Sequence, residues 1–119
     1  MSANFSPAVR AGDLLLVSGQ ASVDDSGIFV PGDFEAQVRR SIENVQTVLS
    51  AHGLELADVV RVGAYVHELT DLKRFNEIYS EYFAGPRPAR TTLTGCLGGG
   101  VLFEMDVMAW CSGRKDADG

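Results

Sequence analysis

Apolar positions along the chain follow two periods, and the switches between them mark the elements. Residues 14–18 form a run of Leu, Leu, Leu, Val and Ser closed by Gly19, and residues 28–30 form a second short apolar run. The turn-forming stretch between them, residues 21–27 (ASVDDSG), predicts two strands joined as a hairpin. The period then changes. Phe34, Val38, Ile42, Val45, Leu49 and His52 recur at helical spacing behind Asp33, a capping residue type, with Glu35 in the first turn where the helix dipole favours an acid. Gly53 stands where a helix ends on a left-handed residue.

Val60, Val62, Ala64 and Val66 alternate with Arg61, Gly63, Tyr65 and His67, the period of a strand. Thr70 or Asp71 can cap a second helix with Leu72, Phe75, Tyr79 and Tyr82 on one face, and Gly85-Pro86-Arg87-Pro88 must end it. Residues 91–96 read as a strand, Gly98-Gly99-Gly100 as a turn and residues 101–110 as a long last strand. In that strand Phe103, Met105, Val107 and Ala109 share one face, and Glu104, Asp106 and Met108 share the other. The predicted order is β-β-α-β-α-β-β, an α+β class with two helices against one sheet. No repeat or linker divides residues 1–119, and residues 112–119 (SGRKDADG) read as a frayed end. Several strands are apolar on both sides, so the sheet face away from the helices is expected to be covered by another subunit.

Size and charge narrow the function. A domain of 119 residues buries about two-thirds of its unfolded surface, enough for a core but not also for a deep private cleft. A neighbouring subunit is therefore expected to complete an active site. Ten Lys and Arg against sixteen Asp and Glu leave a net charge of −6, without the basic footprint that phosphates need, so neither nucleic acid nor an anionic membrane is an expected partner. Residues 1–10 show no secretory pattern, and the apolar runs are too short to span a membrane. Cys96 and Cys111, without CxxC spacing, read as two reduced, partly buried thiols of a cytoplasmic protein.

Two residues are placed for chemistry. Arg90 follows the rigid Pro86-Arg87-Pro88-Ala89 segment at the start of a strand, where its fork can grip a carboxylate. The same pattern fits a rim arginine in a surface ion pair. Glu104 alternates with apolar residues in a strand expected to be central, where a carboxylate can hold a water, and it equally fits an exposed acid on a wet face. His52 and His67 lack partners at metal-ligand spacing, and the three glycines match no phosphate-binding fingerprint. Arg39-Arg40 reads as the solvated side of the first helix. No cofactor is expected.

Residues 4–20 (NFSPAVRAGDLLLVSGQ), 37–53 (QVRRSIENVQTVLSAHG), 59–83 (VVRVGAYVHELTDLKRFNEIYSEYF), the PAR-T of 88–91 and the FEMDVMAW of 103–110 together resemble the RidA/YjgF reactive intermediate deaminase family, in order and over nearly the whole chain. The resemblance implies a chorismate-mutase-like fold, one mixed sheet with two helices on one face, and a homotrimer with clefts between subunits. It implies cofactor-independent hydrolysis of 2-imino acids to 2-oxo acids and ammonia. By the same resemblance Arg90 would bind the substrate carboxylate and Glu104 would position water. Thr92, Ser18, Gly32 and Phe5 would line the cleft. Phe5 stands where the family commonly has Tyr, and Gly98-Gly99-Gly100 replaces a Leu-Pro-Lys-like turn in a segment one residue shorter. Both differences bear on substrate range rather than reaction type. The alternatives are a non-catalytic module that binds 2-oxo acids, a specialised biosynthetic member with another imine-like substrate, and an endoribonuclease.

Overall fold

A computed structural model describes residues 4–111. The expected frayed end, residues 112–119, lies outside them. The elements run β1 (Ala8–Ala11), β2 (Leu14–Gln20), α1 (Phe34–Ala51), β3 (Val59–Val66), α2 (Leu72–Tyr82), β4 (Ala89–Thr94) and β5 (Phe103–Trp110). They build one mixed sheet in the order β1-β2-β5-β3-β4, antiparallel except for the parallel β3–β4 pair. Class and order are those expected, but the first two strands are not the expected pair. The partner of β2 lies before it: Ala8–Ala11 pairs with residues 14–17 across a two-residue turn, with Gly12 at φ +60°. Residues 28–30 contribute only an isolated bridge, Val23 to Phe29. β1 escapes the periodicity because it is four residues long and mostly exposed.

α1 forms as its spacing predicts. The Asp33 carboxylate accepts from the Ala36 N–H at 2.8 Å, and Gly53 takes φ +74° just past the end. His52 is the C-cap, its Nδ1 3.0 Å from the Val48 carbonyl. A register shift between Val59 and Arg61 turns Val59 into the core in place of the expected Val60. Both helices cover one sheet face. Val38, Ile42, Val45 and Leu49 of α1 and Phe75 and Ile78 of α2 pack there on Leu15, Val62, Ala64, Phe103, Met105 and Val107. Phe103 meets Phe75 at 4.9 Å and stands edge-on to Phe34 at 6.3 Å between ring centres.

Two polar devices tie the layers. Buried Gln37 donates to the carbonyls of Gly32 (3.0 Å) and Gly100 (3.1 Å) and accepts from the Leu102 N–H (2.9 Å), joining the loop before α1 to the glycine turn before β5. Arg39 is not simply solvated, contrary to expectation: with Arg74 it grips Glu35, and it reaches Glu81, linking α1 to α2. Cys96 is exposed rather than partly buried, whereas Cys111 is half-buried; both are free.

Candidate functional site

The sheet register decides where the candidate residues point. Arg90 pairs with Val62 and Thr92 with Ala64, and both of these β3 residues are buried under the helices. Arg90 and Thr92 therefore stand half-buried on the helix side of the edge strand β4. Glu104 pairs with Tyr65 and Asp106 with Gly63, in alternation with buried Phe103 and Met105, so they stand on the open face. The two principal residues thus lie on opposite faces of one sheet.

Arg90 forms no ion pair among the described residues. Its Nη2 donates to the Asn76 amide oxygen at 2.7 Å, and its guanidinium lies 4.7 Å from the ring centre of Tyr79 and 5.0 Å from that of Phe75. Those rings continue a stack along α2, with Phe83 parallel to Tyr79 at 4.5 Å. The helical spacing that builds the core also builds this platform, which sets the plane of the fork. A pocket of about 440 Å³ opens here, lined by Asn76, Tyr79, Ser80, Arg87, Pro88 and Arg90. A larger cavity, about 570 Å³, lies by Leu56, Phe83 and Pro86 and contains none of the candidate residues.

On the open face, burial pushes the Glu104 carboxyl above its ordinary value, and Asp106 adds to the effect. The Tyr65 hydroxyl donates to Asp106 at 2.7 Å, and that bond, with burial, pushes it up to about 12. Gly19 sits at an irregularity between Val17 and Gln20 in the β2–β5 pairing, and a Cβ there would collide with the Glu104 carboxylate. Glycine clears the space that Glu104 occupies. Ser18 donates from Oγ to the Ser6 carbonyl at 2.6 Å and from its N–H to the Pro7 carbonyl at 2.9 Å, holding the segment that carries Phe5, itself 67% exposed. Gly32 is exposed in the loop before α1. Phe5, Ser18, Gly19 and Glu104 thus belong to the β2–β5 side, and Arg90 and Thr92 to the β4–α2 side.

Sequence reasoning missed Asn76, Gly19 and Arg87. Asn76 meets Arg90 only across the α2–β4 contact and leaves no local signal. Arg87 is visible in the sequence but reads as part of the helix stop. His67 Nδ1 is buried without a partner at the end of β3. Among the described residues no three His, Cys, Asp or Glu gather as metal ligands, and no helix is long and apolar enough to cross a membrane.

This arrangement has relatives. The family model described as endoribonuclease L-PSP matches residues 1–111. A RutC family protein of Pyrococcus abyssi is 39% identical over 108 residues, covering 89% of this chain and 85% of its own length. Reactive Intermediate Deaminase A, chloroplastic, of Arabidopsis thaliana is 35% identical over 89 residues, 74% of this chain and 48% of that protein. The crystal structure of E. coli TdcF with bound serine superposes with a TM-score of 0.83 at 26% identity, over 92% of this chain and 90% of that one. The chain belongs to the endoribonuclease L-PSP family, that of the RidA/YjgF reactive intermediate deaminases.

Proposed function

We propose that the protein hydrolyses small 2-imino acids, and the enamines in equilibrium with them, to 2-oxo acids and ammonia. The observation that carries this reading is Arg90: a half-buried guanidinium without an acid partner among the described residues, laid on two rings and pinned by one amide beside a pocket. Its free N–H groups offer a two-point grip to a carboxylate. In a 2-imino acid the carboxylate is bonded directly to the electrophilic C2, so holding one positions the other. Glu104 orients a water and takes its proton as the oxygen attacks C2. The proton passes to nitrogen, the C–N bond breaks and ammonia leaves as the oxo acid forms. No metal or organic cofactor enters these steps. The serine bound to TdcF has the same carboxylate next to a nitrogen-bearing carbon, which supports a site for small amino-acid-like molecules here.

Opposite faces of one sheet cannot both contact one small molecule. The reading therefore takes Arg90 and Thr92 from one copy and Glu104, Ser18, Gly32 and Phe5 from its neighbour in a homotrimer. Exposed Val9, Leu16 and Leu93 on the strands give the open face apolar surface for such an assembly to cover. The name endoribonuclease offers a second reading, but the net charge of −6 and the acids Glu104 and Asp106 on the open face disfavour a phosphate track.

The test is ammonia release from freshly generated 2-iminopropanoate, which the protein is expected to accelerate; tight binding of 2-oxo acids without any acceleration would overturn the reading in favour of a binding module. Glu104→Gln should remove most of the acceleration. In the native protein kcat/KM should fall as pH drops through an apparent pKa above 4.5, because the raised carboxyl protonates earlier than an ordinary one. The sign for stability is opposite. A folded carboxyl with a raised pKa binds its proton more tightly than the unfolded chain does, so it contributes stability as pH falls and withdraws it as pH rises. Glu104→Gln is thus expected to hold or raise Tm at neutral pH while losing activity, a combination that unfolding cannot produce. Gly19→Ala should displace the Glu104 carboxylate, lowering kcat by about tenfold with a stability change within about 1 kcal/mol, measured by steady-state kinetics and thermal melts.

A further inference from the structure

We infer that Arg87 makes the pocket beside Arg90 a site for a second anionic group, so that the preferred substrates are 2-imino acids bearing a second carboxylate. This deepens the deaminase reading and rests on it. Arg87 and Arg90 flank Pro88-Ala89 and line the same pocket of about 440 Å³, whose other walls are Asn76, Tyr79, Ser80 and Pro88. No carboxylate lines it. On the helices Arg39 holds Glu35 and Glu81, and Arg74 holds Glu35 and Glu77, whereas Arg40 forms no ion pair among the described residues. Arg87 and Arg90 form no ion pair among the described residues, although the chain carries six more acidic than basic side chains.

Each is held by a neutral acceptor that leaves donors free. Arg87 gives its Nε–H to the Phe83 carbonyl at 2.9 Å, keeping both terminal amino groups, and Arg90 gives one N–H of Nη2 to Asn76. Between them lies Tyr79, whose hydroxyl is buried without a partner. Burial pushes the pKa of that hydroxyl up while the Arg90 and Arg87 charges both pull it down, so the two charges act on the same oxygen. Like charges brought to one pocket repel, and an anion between them relieves the repulsion. A monocarboxylate satisfies Arg90 alone. A substrate such as 2-iminoglutarate or 2-iminosuccinate supplies one carboxylate to each fork, and the hydrolysis is unchanged: water adds to C2, the C–N bond breaks, and ammonia leaves the 2-oxo diacid.

Calorimetric titration of the intact protein with 2-oxoglutarate and with 2-oxobutanoate tests this, alongside turnover of 2-iminopropanoate. The native protein is expected to bind the diacid about tenfold more tightly, with the ratio falling as salt is added. Arg87→Ala should bring the ratio near one, and Arg87→Lys should keep part of it. A native ratio of one, or a ratio that Arg87→Ala leaves in place, would overturn the inference while 2-iminopropanoate turnover keeps the deaminase reading standing. Failure to bind either acid together with absent turnover would overturn both.

Discussion

Arg90→Ala is expected to lower ammonia release from 2-iminopropanoate to the uncatalysed rate, a loss of about 10²- to 10³-fold, with the fold intact. The side chain makes one hydrogen bond to Asn76 and two ring contacts at the edge of the sheet. Removing them from a half-buried position costs about 1–2 kcal/mol, which a folded domain tolerates. Catalysis suffers more, because the carboxylate grip sets where C2 meets water. Arg90→Lys keeps the charge but loses the planar fork and the ring stacking, so it should recover little. Unchanged turnover in Arg90→Ala would remove the basis of the proposed function.

The same variant tests the shared site. Arg90→Ala and Glu104→Gln chains, each inactive alone, are to be unfolded together and refolded as mixed assemblies. If a cleft takes Arg90 from one copy and Glu104 from its neighbour, random mixing restores about a quarter of native activity, since some clefts receive both intact residues. If both came from one chain, mixing would restore nothing. Sedimentation equilibrium on the same samples should give three times the 12.8 kDa chain mass.

Phe103→Ala should have the largest effect on stability, about 3–5 kcal/mol, lowering Tm by about 10–20 °C. Phe103 has no exposed surface, and its ring is held by Phe34 of α1 and Phe75 of α2. It is the point where both helices meet the central strand β5, so the void cannot close by moving one neighbour. The effect should reach the site too, because Phe75 is part of the platform under Arg90 and Glu104 follows Phe103 in β5. Phe103→Leu should restore most of the stability; calorimetry and the imine assay on both variants separate the contributions. A Tm loss under about 5 °C for Phe103→Ala would show the core repacking freely, against this account.

Periodicity alone determines α1, α2, β3 and β5, because each buries one stripe or one face and the burial is written in residue spacing. It also determines the faces of β5, and hence that Glu104 and Phe103 point opposite ways. The PRPAR segment places Arg90 at a strand start. The resemblance to a family adds the roles proposed for Arg90 and Glu104, which periodicity does not carry. β1 stays illegible because a short, solvent-facing strand has no apolar pattern, and its pairing with β2 is decided by the Gly12-Asp13 turn. The bulge that moves Val59 inward in place of Val60 is likewise set by β5, not by local sequence. The most consequential fact about the site belongs to tertiary structure alone: the parallel pairing of β4 with β3 puts Arg90 opposite Val62, beneath α2, while β5 sends Glu104 to the other face. Strand order and direction arise from contacts distant in sequence, so no local pattern encodes which face of the sheet the two residues share. That Asn76, Tyr79 and Arg87 gather around Arg90 follows from the same packing.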